Sequence, residues 1–267
     1  MNAVSMVLTD GITIAKRNAL KIRRVPDLLA FVILTPTVFV LMFAYLFGNM
    51  IDIPGMSYRE YVLPGIFVQT MIYGATLTGL GLVEDLQKGI IDRFRSLPMA
   101  PSAVLVGRTV SDMLMNVVSL VIMLLMGLLV GWRMHTEPLE AVLAVVLLLL
   151  FAHALSWVMA VVALSIRTPE VFNNASFLVI FPLAFIANTF VDTTRLPGPL
   201  RVVADWNPAS AITLAVRELF GNTSAVMPVS DAWPLQHPVL ASLLWVALIL
   251  AVFVPLAIRR YKKAVSR

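Results

Sequence analysis

Six stretches of this chain, each about 20 residues long, contain no Asp, Glu, Lys or Arg. They cover residues 28–47, 62–83, 113–131, 141–166, 171–191 and 238–258. A helix needs about 20 apolar residues to cross the hydrocarbon core of a bilayer, and a charged side chain at its centre costs about 2.5–3.5 kcal/mol. The pattern predicts an all-α integral membrane protein with six transmembrane helices, in a single domain over residues 1–267.

The charge content separates this prediction from its alternative, a soluble protein with large core helices. Only 13% of the residues are charged and 60% are hydrophobic, whereas soluble domains have about a quarter charged and half apolar residues. A soluble fold could not cover its surface with so few charges, but a membrane protein needs them only at its ends. The net charge is +5, but the charged residues lie at the ends of the apolar stretches. The positive charge therefore does not indicate a nucleic-acid partner.

The basic residues predict the orientation in the membrane. Six spans return both chain ends to one side, and fifteen of the 20 lysines and arginines fall on segments of that side. Because cytoplasmic loops carry an excess of Lys and Arg, we expect a multi-pass protein of the plasma membrane with both termini in the cytoplasm. We expect no cleaved signal peptide. The five basic residues on the other side are Arg59, Arg133, Arg195, Arg201 and Arg217.

The first segment, residues 1–27, has the pattern of a helix lying on the membrane surface. Apolar side chains recur every three or four residues from Leu8 to Ile22, and basic side chains such as Arg17 and Lys21 occupy the opposite face. A disordered basic tail is the alternative.

The longest polar connection, residues 192–237, is predicted to be extracellular and to contain a helix. Asn207 can cap this helix, Pro208 suits its first position, and Gly221 can stop it. The apolar residues between them are sufficient for the helix to pack on the bundle or to dip into the membrane interface.

The loop between the second and third predicted spans, residues 84–101, mixes charged and apolar side chains. Gly89 interrupts a possible helix and Pro98 stops it. A helix this short is stabilised by docking on another surface. The loop is either a contact for a cytosolic partner or a basic loop that only anchors the topology. Its apolar ridge consists of Ile90, Ile91, Phe94 and Leu97, flanked by Asp92, Arg93 and Arg95.

Two strings carry a family resemblance. The string EDLQKGIIDRFRSLPMAPSAVLVGR, residues 84–108, resembles the cytoplasmic loop of ABC-2-type permeases, especially the daunorubicin-resistance-type drug exporters. The string NPASAITLAVRELFGN, residues 207–222, resembles the outer segment before the last span of that family. The resemblance extends over essentially the whole chain.

The resemblance implies a membrane subunit in which two six-helix permeases, identical or sister chains, work with two ATPase subunits. ATP and Mg²⁺ are then bound by the ATPase, and this chain binds no cofactor or metal and is not an enzyme. The sequence agrees, because it has no Gly-Lys dipeptide and therefore no G-x-x-x-x-G-K-[ST] phosphate-binding loop. The residues implied in ATPase coupling are Glu84, Gly89, Ile90, Ile91, Asp92, Arg93, Phe94, Arg95, Leu97 and Pro98, and those of the outer helix are Asn207, Pro208 and Arg217.

Polar and aromatic residues inside the predicted spans are candidates for a substrate pathway. Each polar residue could instead bond a neighbouring helix, and each phenylalanine could face lipid. Among ionisable residues the spans contain only His153, which we interpret as a packing or pore-facing histidine, so coupling to an ion gradient is disfavoured. The candidates are Gln69, Thr70, Tyr73, Thr76, Asn173, Asn174, Phe177, Phe181 and Asn188.

These features together predict an ATP-driven exporter of a hydrophobic drug-like or lipid-like compound. An exporter of polysaccharide or teichoic acid is the alternative within transport. A membrane anchor or assembly protein without transport activity is the alternative from another class. An enzyme is disfavoured, because the sequence has no cysteine and neither an H-E-x-x-H nor a G-x-S-x-G motif.

Overall fold

The structure, a computed structural model, describes residues 26–48, 51, 53–90, 101–190, 193, 196–224, 226 and 230–265. Over these residues the chain is helical, with one isolated β-bridge between Ile53 and Met56 and no strand. The helices are α1 (Pro26–Leu41), which continues as a π-helix (Met42–Phe47), α2 (Tyr58–Gln87), α3 (Pro101–Leu129), α4 (Pro138–Ala163), α5 (Pro169–Phe185), α6 (Gly198–Asp205), α7 (Pro208–Leu219), α8 (Trp233–Gln236) and α9 (Pro238–Val265).

Four helices in the described part of the chain are long and apolar enough to cross a membrane. They are Tyr58–Gln87, Leu105–Leu129, Pro138–Ala163 and Pro238–Lys263, and they match the second, third, fourth and sixth predicted spans. The first and fifth predicted spans match shorter apolar helices, Leu34–Phe47 and Pro169–Phe185. The all-helical prediction is confirmed, and crossing by all six segments stays a prediction.

Proline marks the start of most of these helices. Its fixed φ suits the first helical turn, where its missing N–H has no partner to lose, and α1, α3, α4, α5, α7 and α9 all begin with it. Helix α2 instead begins with a capping box, in which Ser57 Oγ accepts from the Glu60 N–H at 3.3 Å and Glu60 Oε2 accepts from the Ser57 N–H at 3.1 Å. Local sequence therefore sets most of the helix starts.

The long helices alternate in direction and define two ends of the bundle. At the α2–α3 end, α2, α4 and α9 finish and α3 and α5 begin. At the α7 end, α2 begins, α3 and α5 finish, and α7 lies against α2, α4, α5 and α9. Helix α4 is central, because it packs against α2, α3, α5, α7 and α9. The core near the α7 end includes Trp132, whose ring meets those of Phe67 and Phe220 edge to face at 5.2 and 5.1 Å.

Two helices differ in length from the predicted spans. Helix α3 begins at Pro101 rather than near residue 113, and it includes the charged residues Arg108 and Asp112, which pair with each other one turn apart on the helix. Helix α5 ends at Phe185 rather than near 191, because the side chain of Asn207 takes up the carbonyl oxygens of its last turn. The predicted surface helix of residues 1–27 lies outside the described residues except for its last two positions.

Candidate functional site

A charged cluster joins α2 to α3 at the end of the bundle where the two helices are connected. Arg108 Nε lies 3.1 Å from Asp112 Oδ2, and Nη1 lies 3.8 Å from Asp85 Oδ2. Nη2 also donates to the Leu77 carbonyl oxygen at 3.1 Å. The three side chains are only 15, 10 and 11% exposed for Arg108, Asp85 and Asp112. We call Asp85, Arg108 and Asp112 the arginine clamp.

The arginine clamp depends on a glycine in α2. A Cβ atom added at Gly81 would lie 1.7 Å from Arg108 Nη2 and 2.2 Å from its Cζ. The guanidinium therefore occupies the space that a side chain would need, and a larger residue at this position would have to displace it. The clamp holds the two helices together just before they enter the connecting loop.

Three of the residues predicted to couple to an ATPase lie in the described structure. Glu84 pairs with Lys88 at 3.0 Å on the exposed last turn of α2. The helix ends at Gln87, and Gly89 has φ +63°, a left-handed conformation that favours glycine and interrupts the helix there. Ile90 follows directly. The other coupling residues, Ile91, Asp92, Arg93, Phe94, Arg95, Leu97 and Pro98, lie outside the described residues.

The predicted substrate-pathway residues fall into two groups rather than one site. Gln69 and Asn188 are buried, with 2% and 7% exposure. Both amide atoms of Gln69 and the Oδ1 atom of Asn188 have no hydrogen-bond partner among the described residues, while the Asn188 N–H donates to Ser210 Oγ at 3.1 Å. Thr70 and Thr76 are half-buried, and Thr76 Oγ1 donates to the Tyr73 carbonyl oxygen at 2.6 Å, a purely local contact.

The second group is exposed on one side of α5. Phe177 and Phe181 have ring centroids 5.0 Å apart, and the row continues to Phe185 at 4.7 Å. Phe190 extends it towards Phe43 of the π-helix, at 4.9 Å. We call these five phenylalanines the aromatic row. Asn173 and Asn174 are exposed on the same helix, and Tyr73 is 37% exposed on α2.

The α7 end is held by polar side chains that bond to backbone carbonyl oxygens. Asn207 caps α7 by accepting from the Ala209 N–H at 2.9 Å, and Pro208 is the first helical residue. The Asn207 side-chain amide donates to the carbonyl oxygens of Leu183, at 3.1 Å, and of Ile186 at the end of α5. Gly221, with φ +68°, follows the helix in the left-handed conformation that ends it.

Arg217 of α7 is 3% exposed and links three parts of the chain. Its Nε donates to the Tyr61 carbonyl oxygen of α2 at 2.9 Å, and its Nη2 donates to the Thr189 carbonyl oxygen at 3.1 Å. Its guanidinium also lies 3.8 Å from the centre of the Tyr61 ring. The role of Arg217 is thus to anchor α7 between α2 and the segment after α5.

Sequence reasoning missed most of the arginine clamp. It treated Arg108 as a loop residue and did not pair it, although Arg108 and Asp112 have the i, i+4 spacing of a helical ion pair. Its third member, Asp85, comes from another helix and leaves no local signal. Among the described residues no group of three or more His, Cys, Asp or Glu side chains could hold a metal ion.

Comparison with known proteins identifies the family. The family model described as ABC-2 type transporter matches residues 10–220. The chain is 34% identical over 260 residues to the daunorubicin resistance ABC transporter permease protein DrrB1 of Streptomyces coeruleorubidus, with 97% of this chain and 87% of the relative covered. It is 25% identical over 192 residues to the doxorubicin resistance ABC transporter permease protein DrrB of Mycobacterium tuberculosis, with 72% and 66% covered. The chain therefore belongs to the ABC-2 type transporter family and is homologous to its drug-resistance permeases.

Proposed function

We propose that this chain is the membrane-spanning permease subunit of an ATP-driven exporter that moves a hydrophobic, drug-like compound out of the cell. The observation that carries the proposal is the 34% identity to a daunorubicin resistance permease over 97% of the chain. A likeness of this extent covers the six predicted spans and the two strings at residues 84–108 and 207–222, so it is more than a shared apolar composition. ATP and Mg²⁺ are bound by a separate ATPase subunit.

The proposed topology has six spans, with both chain ends and the α2–α3 end in the cytoplasm. Helix α1 and its π-helical continuation contain 16 and 6 residues, which together meet the length needed to span. Helix α5 has 17 residues, the lower limit of about 17 residues for a transmembrane helix. The residues after it, up to Phe190, complete the passage.

In this proposal the ATPase docks on the segment of residues 84–101, and the arginine clamp transmits its movement. The clamp ties α2 to α3 beside that segment, through the 3.8 Å separation of Arg108 from Asp85 and the 3.1 Å hydrogen bond from Arg108 to the Leu77 carbonyl oxygen. A force applied to the loop therefore acts on both helices together and moves them as a pair. Without such a tie, a loop between two helices could bend without moving either.

The exposed side of α5 supports pairing with a second permease copy or a sister chain. Phe177 and Phe181 are 57% and 44% exposed, beside the exposed amides of Asn173 and Asn174. Amide groups in hydrocarbon need hydrogen-bond partners, and the side chains of Asn173 and Asn174 make none within the described residues. A second chain or a transported compound would supply them, and the aromatic row would offer a flat surface to an aromatic compound.

The first experiment tests for an ATPase partner and for transport. The full-length chain is affinity-purified in mild detergent, and inverted vesicles are assayed for ATP-dependent uptake of daunorubicin by its fluorescence. We expect an ABC ATPase to co-purify and uptake to depend on ATP after the ion gradients are collapsed. Absence of any ATPase would contradict the proposal and favour a membrane anchor, and loss of uptake with the gradients would revive a proton relay at His153.

The second experiment tests docking at residues 84–101. Changing Arg93→Glu together with Phe94→Ala should uncouple ATP hydrolysis from transport, because it reverses a charge and removes an apolar contact on the proposed docking surface. The matched control is Arg259→Glu, a charge reversal at an exposed position of the same end of the bundle. Unaltered transport in the double variant, or equal loss in the control, would count against docking on this segment.

A further inference from the structure

A cavity of about 240 Å³ lies beside the first part of α9 at the α7 end. Three of the five tryptophans line it: Trp206 after α6, Trp233 in α8, and Trp245 in α9. Ala241 and Leu248 form part of its α9 wall. The other two tryptophans, Trp132 and Trp157, are buried elsewhere with 0 and 4% exposure.

The surface around this cavity is apolar and exposed. Along α9, Leu240, Leu244 and Leu248 follow one another at intervals of four residues and are 52, 52 and 53% exposed. On α6, Val202 and Val203 are 62 and 54% exposed. Leu244 and Leu248 also line the cavity. The cavity is thus continuous with a surface that faces lipid when α9 lies in the bilayer.

The cavity lies in one leaflet, close to the membrane surface. Helix α9 begins at Pro238, so at 1.5 Å per residue the wall from Ala241 to Leu248 lies within about 15 Å of the helix start. The hydrocarbon core is about 30 Å thick. Tryptophan is enriched where the hydrocarbon meets the headgroups, and Trp206 and Trp233 are 55 and 42% exposed there.

The chemistry and size of the cavity restrict its ligand. None of the described residues that line it is charged, so these residues offer no counter-charge to an ionic group. Its volume of about 240 Å³ is below the roughly 300–1,000 Å³ of sites for drug-sized molecules. A hydrocarbon chain suits such a site, because each buried CH₂ contributes about 0.8 kcal/mol and needs no polar partner.

We propose that this cavity binds one acyl chain of a phospholipid from the leaflet at the α7 end. The phospholipid is then held at a fixed position between α6, α8 and α9, and it packs against the three tryptophans. The inference rests on the part of the proposed function that puts α9 in the membrane, and it is independent of the ATPase and of the transported compound.

The test is a titration of the purified full-length chain in detergent micelles with a phospholipid brominated on its acyl chain. Bromine quenches tryptophan fluorescence on contact. We expect quenching that saturates at one lipid per chain and affects at most three of the five tryptophans. Quenching that rises linearly with lipid, as for general partitioning into the micelle, would overturn the proposal whether or not the chain transports a drug.

Two variants of α9 show where the lipid binds. Ala241→Phe fills the cavity and should abolish the saturable quenching, whereas Leu243→Phe, which introduces the same side chain at an exposed neighbour that does not line the cavity, should leave it unchanged. Saturable quenching that persists in Ala241→Phe would overturn the proposal. If that variant does not fold, Ala241→Leu fills less of the cavity and should weaken the saturable quenching, while unchanged saturation would again contradict the site.

Discussion

Among the described residues, the most buried arginine at each end of the bundle is held by a different kind of acceptor. At the α7 end, Arg217 donates to backbone carbonyl oxygens at 2.9 and 3.1 Å, as the half-buried Arg59 does at 2.9 and 3.2 Å. At the α2–α3 end, Arg108 is held mainly by the carboxylates of Asp85 and Asp112. A carbonyl oxygen is fixed by its own helix, whereas a carboxylate sits on rotatable bonds and can exchange one cation for another.

This difference indicates that the two ends differ in whether their polar contacts can rearrange. The α7 end forms a fixed frame, because neither the acceptors nor their directions can change while the helices persist. The α2–α3 end can exchange partners within its ion pairs, because both members of each pair are side chains. An end that responds to an ATPase needs the second property, and that is the end where we propose the ATPase to dock.

The largest effect is expected at the arginine clamp. Changing Arg108→Ala removes the cation that pairs with the buried Asp112 and Asp85 carboxylates, and breaking a buried ion pair costs about 3–5 kcal/mol. Adding Asp112→Asn should recover part of this loss, because the buried negative charge of Asp112 is then removed. The free energy of unfolding of the purified chain, measured by detergent titration, checks both. A clamp that contributed nothing would leave the single variant as stable as the original chain.

A slightly smaller loss of stability is expected at Arg217, and a second substitution should not recover it. Changing Arg217→Leu keeps an apolar side chain but leaves the Tyr61 and Thr189 carbonyl oxygens without these donors, for a loss of about 3 kcal/mol. The acceptors are backbone atoms, so no second side-chain change can remove them. Arg201→Ala is the matched control, because the Arg201 side chain is 37% exposed and its pair should contribute at most about 1 kcal/mol. Equal thermal stability of the two variants would mean that the buried bonds of Arg217 contribute no more than the exposed pair of Arg201.

An intermediate effect is expected at Asn207. The side chain of Asn207 both caps α7 and bonds the end of α5, and one substitution can remove the second contact while keeping the first. Changing Asn207→Asp keeps the helix cap but replaces the amide donor that bonds Leu183 and Ile186 with a negative oxygen, for a loss of about 2 kcal/mol. Thr168→Asp puts the same carboxylate at the cap of α5, at the other end, where it should be harmless. If Asn207 only capped α7, both variants would melt at the same temperature as the original chain.

The smallest effect is expected on the exposed last turn of α2. Lys88 and Glu84 are 57% and 35% exposed, so their pair is screened by water and should contribute at most about 0.5 kcal/mol. Changing Lys88→Ala should therefore leave the unfolding free energy almost unchanged. A loss comparable to that of Arg108→Ala would mean that the Lys88–Glu84 pair is as buried as the arginine clamp, contrary to the structure.

The helical class was predictable from the sequence because its cause is local. Uncharged stretches of membrane-spanning length determine where helices lie, and Asn207, Pro208 and Gly221 bracket α7 by their own backbone preferences. The same reasoning, applied to Pro101, Pro138, Pro169 and Pro238, would have located four further helix starts. Local rules of this kind need no knowledge of what the helix packs against.

The contacts between distant segments were not predictable in the same way. Asp85 reaches Arg108 across the loop, and Arg217 reaches Tyr61, because the bundle brings them together. The pathway candidates divide into buried and exposed residues for a related reason: a span has several faces, and the sequence does not say which is buried. Gln69 therefore shared one set of candidates with Phe177, although one is 2% and the other 57% exposed.

The bond between Arg217 and Tyr61 also has a consequence for biogenesis, because it joins residues 156 positions apart. During synthesis α2 is made long before α7. The hydrogen bond from Arg217 to the Tyr61 carbonyl oxygen therefore cannot form until α7 has been made. The contacts of Arg217 at the α7 end therefore form late, after most of the chain has been synthesised. Until then α2 lacks the contacts that Arg217 supplies, so we expect a defect at Arg217 to lower the yield of folded protein in the membrane.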